Sequence, residues 1–135
     1  MGEGDTNASR KKNAIQWMVN ELKQDRDIKV YDKGSHQRDV MHVKDVCRAM
    51  KLVMDKGKLN EIYNIGSGQP TRVSEIVELA KHFTRSRGKI ISIDPPEFHN
   101  NVQTQHFWLD TTKLKSLGFA QHITKEFNVK ELSII

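Results

Sequence analysis

The chain has 135 residues, the length of one ordinary domain with a single hydrophobic core, and we expect residues 1–135 to form one domain. Its 36% hydrophobic and 29% charged residues, with no apolar run near the ~20 residues of a membrane span, exclude a membrane-spanning protein. The net charge of +5 suits nucleic acid or a small phosphorylated ligand, and the absence of aromatics interleaved with basic residues argues against direct nucleic-acid binding.

Residues 1–9 contain no apolar stretch. We therefore expect neither a secretory signal nor a transit peptide, and a cytoplasmic location. The single cysteine, Cys47, excludes an intramolecular disulfide and a thiol-rich metal site. Because Cys47 shares a predicted helical face with apolar residues, we expect it to be buried by packing and not to act as a nucleophile. The histidines show no pair at the spacing of a helical metal site, so we expect no metal.

The first half of the chain alternates predicted helices and short strands. Apolar residues at helical spacing predict a helix over residues 10–25, capped by Ser9 or Asn7. Residues 28–31 alternate as a strand, and a second strand is predicted over 39–42.

A strong amphipathic pattern then predicts a helix over residues 44–56, which Gly57 ends. Residues 62–65 predict another short strand, closed by a glycine-rich turn. Thr71 is placed to cap a third helix. The predicted core face of that helix comprises Val73, Ile76, Val77, Ala80 and Phe83.

The last third of the chain predicts one strand and two short helices. The strand covers residues 89–93 and stops at a Pro-Pro pair, and residues 97–106 are expected to be irregular. Asp110 is placed to cap a short helix, with Gly118 at its left-handed exit, and a last helix is predicted to begin at Thr124. The order of the elements predicts an α/β fold.

Residues 33–47 contain the most informative cassette of the chain. Gly34 and Ser35 predict a turn, and Arg38 follows at the junction of the turn with a strand. A guanidinium there suits a phosphate, because its planar fork gives two parallel charge-assisted hydrogen bonds to an anion. The alternative is a surface arginine that only closes the turn. His36 could help to bind an anion, although an exposed turn histidine is its ordinary explanation.

The segment Gly66-Ser67-Gly68 lies between a predicted strand and a predicted helix, where a nucleotide-phosphate loop would lie. It lacks the third glycine, the Lys-Ser/Thr pair of a phosphate loop and the acidic residue ~20 positions on. We therefore predict a turn that needs a positive φ, and no dinucleotide site.

Five short motifs stand in order along nearly the whole chain. They are Ile28-Lys-Val-Tyr-Asp32 followed by Gly34, Gln37-Arg-Asp-Val-Met-His-Val-Lys-Asp-Val46, Ile62-Tyr-Asn-Ile-Gly-Ser-Gly68, Ser74-Glu-Ile-Val-Glu-Leu-Ala80 and Asp110-Thr-Thr-Lys-Leu-Lys-Ser-Leu-Gly-Phe119. In this order and spacing the chain resembles the C-terminal, substrate-binding part of the NAD-dependent epimerase/dehydratase family. These are the extended short-chain dehydrogenase/reductases that act on nucleotide sugars.

The resemblance implies a small mixed-sheet α/β substrate domain that lacks the N-terminal Rossmann half of such enzymes. It implies that Arg38 binds the diphosphate of a UDP-, ADP-, GDP- or dTDP-linked sugar, and that main chain near Tyr31 packs beside the nucleobase. Relatives often carry an arginine before the helix at Asp110, whereas residues 99–106 of this chain read His-Asn-Asn-Val-Gln-Thr-Gln-His and contain none. Side-chain amides in that segment are therefore candidates for contacts to ribose or phosphate. They are Asn100, Gln103 and Gln105.

The resemblance also implies what this chain lacks. The family's NAD loop and its Tyr-x-x-x-Lys pair belong to the N-terminal portion, and neither Tyr31 nor Tyr63 is followed by lysine four residues later. We therefore expect no catalytic, cofactor-binding or metal-binding residue in this chain. A complete family enzyme is expected to use NAD or NADP, and this chain is expected to be inactive alone and to need completion in trans.

In the full-length family, the segment equivalent to residues 38–66 returns to the cofactor domain. The apolar face of residues 43–54 and the edge at 63–65 would lack that partner here, so we expect a homo-oligomer or a Rossmann-fold partner chain to cover them. Two alternative functions remain open. One is a non-enzymatic oligomerisation or interaction module that has lost ligand binding, and the other is a basic nucleic-acid binder.

Overall fold

The computed structural model of the chain describes residues 13–135. The first helix, Ala14–Lys23, lies within the predicted range of 10–25. Its cap is Asn13, whose Oδ1 accepts a hydrogen bond from the N–H of Gln16 at 3.2 Å. The caps predicted from the sequence, Ser9 and Asn7, lie outside the described residues.

Helices and short strands alternate along the described residues. The helices are α1 (Ala14–Lys23), α2 (Val43–Lys56), α3 (Val73–Thr84), α4 (Glu97–Val102), α5 (Thr112–Ser116) and α6 (Lys125–Ile134). The strands are β1 (Ile28–Tyr31), β2 (Gln37–Asp39), β3 (Pro70–Arg72) and β4 (Ile90–Ile93), with a 3₁₀ turn at Asp32–Gly34. None of the helices in this part of the chain is long and apolar enough to cross a membrane.

The four strands form two separate pairs. β1 and β4 are parallel, with Ile28 opposite Ile90 and Tyr31 opposite Ile93. β2 and β3 are antiparallel, with Arg38 opposite Thr71. The predicted α/β class with strands of both orientations is therefore confirmed, although the strands do not join into one continuous sheet.

The main core lies between β1 and the three helices α1, α3 and α6, which pack against one another. The apolar positions of α3 recur at helical spacing, so that one side of the helix faces this core. The buried residues of this core are Val19, Leu22, Ile28, Val30, Val40, Ile76, Val77, Ala80, Val129 and Leu132.

Helix α2 belongs to a second, smaller apolar cluster, whose buried members are Met41, Ala49 and Leu114. Its other face is open to solvent: Met50 is 52% exposed and Met54 is 84% exposed. The expectation that Cys47 is buried is wrong, because Cys47 lies exposed on this same open side of the helix.

Two strand predictions need correction. The second strand is Gln37–Asp39 and not 39–42, because its pairing with Pro70–Arg72 ends at Asp39. Residues 62–65 form no strand, since no described strand pairs with them. Ile62 is 82% exposed there, whereas Ile65 packs on the cluster beneath α2.

The third helix begins without the predicted cap. Thr71 lies buried in β3, and α3 starts at Val73 with no side-chain hydrogen bond from its N-cap residue, Arg72. The segment 97–106 is also more regular than expected, because Glu97–Val102 forms α4 directly after Pro96.

The two C-terminal helices follow the predictions more closely. Asp110 lies one residue before the N-cap of α5, yet its Oδ1 accepts hydrogen bonds from the N–H and the hydroxyl of Thr112. Gly118 has φ of +95°, which confirms the predicted left-handed exit. Thr124 caps α6 as predicted, through a hydrogen bond from the N–H of Phe127.

Candidate ligand-binding cleft

A cleft of about 370 Å³ lies beside the C-terminal end of β1, between α1 and α4. Because β1 and β4 are parallel, the segments that follow them start from the same edge. The apolar wall of the cleft comprises Ala14, Ile15, Met18, Val30 and Val73. Its polar lining comprises Asn13, Lys29, Tyr31, His36, Arg38, His99 and Gln103.

Arg38 is held by the main chain on one side. Its Nη1 donates hydrogen bonds to the carbonyl oxygen of Gln37 at 2.7 Å and to that of Gln105 at 2.9 Å. No carboxylate of the described residues lies within ion-pair distance of its guanidinium. Partial burial lowers the pKa of Arg38 from its ordinary value, but an arginine remains charged at neutral pH. The guanidinium therefore brings to the cleft a positive charge that no carboxylate of residues 13–135 pairs with.

Tyr31 and His99 meet across the cleft. The Tyr31 hydroxyl lies 2.8 Å from Nδ1 of His99, and the two rings contact edge to face with centroids 5.5 Å apart. His36 lies in the same lining, with Nε2 3.0 Å from Oδ2 of Asp32. The interpretation of His36 as an exposed turn histidine is wrong, since it is only 7% exposed.

The structure brings three of the predicted site residues to this cleft: Tyr31, Arg38 and Gln103. It does not bring Asn100, which is exposed and whose Nδ2 donates to the carbonyl oxygen of Pro95 at 3.4 Å. Gln105 contributes only its main-chain carbonyl, which accepts from Arg38.

The sequence did not single out Lys29 or His99 as cleft residues. The signal for Lys29 was present, because the alternation of β1 places it on the same face as Tyr31. His99 had no such signal, since α4 was expected to be irregular.

The charge of the lining is one-sided. Lys29 and Arg38 are cationic, two histidines can become so, and the lining residues within 13–135 include no Asp or Glu. With an apolar wall on the other side, the cleft suits a ligand that has both an anionic group and a flat apolar part.

The N–H groups of the glycine-rich loop are bound by a side chain of the same chain. The N–H groups of Ser67 and Gly68 donate to the Asp39 carboxylate at 2.7 and 3.0 Å, and Gly68 has φ of +71°. A Cβ at Gly66 would lie 2.7 Å from Asp39 Oδ2. This confirms the predicted positive-φ turn. This loop does not fit the diphosphate of NAD, because these N–H groups are already bound.

Two buried polar side chains attach α2 to the rest of the chain. Asp45 accepts hydrogen bonds from the N–H of Ile123 at 2.8 Å, from that of His122 at 3.1 Å and from Arg48. Burial pushes the pKa of Asp45 upward, but these hydrogen bonds together outweigh it and hold the pKa below its usual range.

The second of these side chains is His42, which caps α2. Its Nδ1 accepts from the N–H of Lys44, and its Nε2 lies 2.6 Å from Oε2 of Glu131 in α6. Both α2 contacts are structural. In residues 13–135, moreover, no group of three or more metal-ligating side chains is arranged to hold a metal ion.

Comparison with known proteins assigns the family. The model of the NAD dependent epimerase/dehydratase family matches residues 1–66. A dTDP-glucose 4,6-dehydratase of Streptomyces niveus is 33% identical over 100 residues, and a putative UDP-glucose 4-epimerase of Methanocaldococcus jannaschii is 31% identical over 103 residues. The chain belongs to the NAD-dependent epimerase/dehydratase family.

The match extends to the fold of family members. The UDP-glucose 4-epimerase of Thermotoga maritima, solved with UDP-glucose, superimposes with a TM-score of 0.79 at 27% identity, over 90% of this chain and 38% of that one. The dTDP-glucose 4,6-dehydratase of Bacillus anthracis, solved with NAD, shares the fold with a TM-score of 0.76 at 22% identity. That match covers 99% of this chain and 40% of the dehydratase.

The chain spans only a fraction of its relatives. The alignment with the Streptomyces dehydratase covers 71% of this chain but 28% of the relative, and that with the archaeal protein covers 76% and 32%. For a trifunctional UDP-glucose 4,6-dehydratase of Arabidopsis thaliana, 28% identical, the alignment covers 77% of this chain and 15% of the relative.

Proposed function

We propose that this chain is the nucleotide-sugar-binding portion of an NAD-dependent epimerase/dehydratase, with Arg38 on the diphosphate and the wall near Tyr31 beside the nucleobase. The observation that carries the proposal is the guanidinium of Arg38, which lines the cleft and for which the described residues supply neither an ion-pair partner nor a carboxylate in the lining. Family membership makes a nucleotide sugar the first ligand to consider.

The chemistry of the cleft supports this ligand class. A sugar nucleotide has two negative charges on its diphosphate, which an arginine recognises through charge-assisted hydrogen bonds. The cleft volume of about 370 Å³ lies in the lower part of the range of small-molecule sites, which is roughly 300–1,000 Å³. Several similar proteins are named for UDP- or dTDP-linked sugars, so these nucleotides are the first to test.

Calorimetric titration with UDP-, dTDP-, GDP- and ADP-glucose tests the proposal. We expect at least one to bind, and Arg38→Ala to weaken that binding roughly tenfold or more, as the loss of a hydrogen bond to a charged group predicts. Arg38→Lys should fall between the two, because lysine keeps the charge but not the planar fork.

Arg26→Ala is the matched control, since Arg26 pairs with Glu21 and is not among the cleft-lining residues. It should leave the affinity unchanged. Failure of all four sugar nucleotides to bind, or an Arg38→Ala variant that binds as well as the original chain, would refute the proposal.

We propose further that these 135 residues do not carry out the family's chemistry by themselves. Neither tyrosine is followed by lysine four residues later, and the glycine-rich loop has its N–H groups bound to Asp39. Fluorescence titration with NADH should therefore show no binding to the chain alone. Saturable NADH binding would contradict this part of the proposal.

The open face of α2 supports a partner that completes the enzyme. We infer that the cofactor-binding half of the family covers this face, because the aligned segment spans about a third of the archaeal relative and the remaining length has no counterpart here. The exposure of Met50 and Met54 favours the same occupant, the cofactor-binding half.

The same face favours a second candidate function, a self-associating interaction module. Light scattering and the thiol reactivity of exposed Cys47 separate the two. A monomer with a reactive Cys47, which becomes protected when the separately produced cofactor-binding portion of the archaeal relative is added, supports completion in trans. A dimer with a protected Cys47 and no response to nucleotide supports the interaction module.

A further inference from the structure

Helix α4 is attached to the cleft at two points. Near its start, Nδ1 of His99 lies 2.8 Å from the Tyr31 hydroxyl. Just beyond its end, the carbonyl oxygen of Gln105 accepts from Nη1 of Arg38 at 2.9 Å. The side chains of His99 and Gln103 both line the cleft between these points. The helix therefore brings a titratable ring to the cleft in a defined position.

The other polar groups that line this cleft, among the described residues, are cationic or neutral. Tyr31 and Lys29 come from β1, while Arg38 and His36 come from β2 and the residue before it. His36 already has Asp32 as a partner at 3.0 Å, and Glu97, on the same helix as His99, is not among the lining residues. Because the described residues of the lining include no Asp or Glu, a bound anion would supply the counterion that these residues do not give to a positive charge on His99.

A diphosphate has more acceptor oxygens than Arg38 has N–H donors left to bind them. Its Nη1 is taken by two carbonyl oxygens, so that fewer of its donors remain for an anion. A diphosphate bears charge on both phosphate groups. A second cationic donor in the same cleft would therefore share the ligand with Arg38.

We propose that His99, in its protonated form, is a second anion-binding residue of this cleft and that Tyr31 positions its ring. This inference rests on the proposed function. In the imidazolium both nitrogens carry a proton, so Nδ1–H donates to the Tyr31 hydroxyl oxygen and Nε2–H is left for a phosphate oxygen. The ligand class is a diester of diphosphate, and its affinity increases as the pH falls.

Titration with UDP-glucose at about pH 6 and pH 8 tests the inference. Both phosphates of UDP-glucose are esterified, so the ligand keeps its charge over this range and any pH dependence comes from the protein. We expect the original chain to bind about fivefold more tightly at the lower pH, as a histidine that gains a proton on binding predicts. His99→Gln should remove this increase.

His36→Gln is the matched control within the same lining. Because His36 Nε2 is already engaged by Asp32, this variant should keep the increase in affinity at low pH. An equal increase in the original chain and in His99→Gln would overturn the inference.

Nuclear magnetic resonance on the original chain provides a test that does not depend on the folding of a variant. The Cε1 proton of His99 should titrate at higher pH in the presence of UDP-glucose than in its absence, and an unchanged midpoint would overturn the inference. Failure of UDP-glucose, with the other sugar nucleotides, to bind at either pH would refute the proposed function as well. Binding without pH dependence would refute only the role of His99.

Discussion

The two sides of this molecule are held together by different forces. On the side of α1, α3 and α6, the stabilising contacts come from an extended buried apolar core. On the side of α2, the apolar cluster has three buried members among the described residues, and the helix is attached through directed hydrogen bonds of Asp45 and His42. The first side is complete in the sense that its own apolar core closes it, whereas the α2 side is fixed in place but keeps an uncovered face.

The largest expected effect comes from breaking the complete side. Ile76 is 1% exposed in the core between α3, α6 and β1. Ile76→Ala should lower the free energy of unfolding by about 3 kcal/mol, because it removes buried methylene groups and leaves a cavity. Urea denaturation followed by circular dichroism measures this loss. A change below about 1 kcal/mol would show that this side is not closely packed.

A smaller effect is expected at Asp39, which links the two sides. Its carboxylate accepts hydrogen bonds from the Ser67 N–H and hydroxyl, from the Gly68 N–H and from the Leu109 N–H. Asp39→Asn should lower the free energy of unfolding, measured by urea denaturation, by about 2 kcal/mol. The NH₂ group of the amide cannot accept the hydrogen bonds that the second carboxylate oxygen accepts. Asp55→Asn is the control, because Asp55 forms only an exposed pair with Lys51.

Asp45 should give the α2 side its own pH dependence. Its pKa is below the ordinary value in the folded chain, so the ionised carboxylate contributes stability above the unfolded pKa of about 4, and this contribution is lost as the pH falls through the folded pKa. Asp45→Asn should therefore lower the free energy of unfolding by about 2 kcal/mol at neutral pH. The gap between variant and original chain should narrow below about pH 4.

Urea denaturation at a series of pH values measures this gap. Asp55→Asn serves as the comparison, because Asp55 forms only an exposed pair with Lys51. A gap that stays constant down to acid pH would contradict the assignment of this pH dependence to Asp45.

The smallest effect is expected on the open face of α2. Met54 is 84% exposed, so Met54→Ala should change the free energy of unfolding of the isolated chain by less than about 0.5 kcal/mol. The same substitution should weaken any association that covers α2, which light scattering or Cys47 protection would detect. A large loss of stability without any partner would mean that this face is already buried within the chain.

On both sides of the molecule, the sequence predicts local features better than it predicts which faces are covered. The apolar spacing of α3 and the Gly118 exit are local signals, and both agree with the structure. Residues 62–65 have a strand-like pattern but no strand beside them. Cys47 has a core-like spacing on a face that the described part of the chain leaves uncovered. Local pattern indicates what a segment is suited to contact, but not whether that contact is present in the chain.

The cleft shows the same division. Arg38 and Tyr31 follow from short motifs in neighbouring parts of the sequence, and the structure places both in the lining. His99 depends on α4, a short helix whose position is set by distant contacts to Tyr31 and Arg38. Such contacts connect residues far apart in the sequence, so no window of local sequence could have indicated them.

The parallel pairing of β1 with β4 also determines when the cleft forms. Ile28 pairs with Ile90, so the two strands can meet only after the whole chain between them has been made. Pairing between residues so far apart in the sequence is slow compared with local helix formation. A nascent chain that ends before β4 already contains Tyr31 and Arg38 but lacks the wall that α4 provides. Ligand affinity should therefore appear late in synthesis, when α4 and its His99 have joined Tyr31 and Arg38 at the cleft.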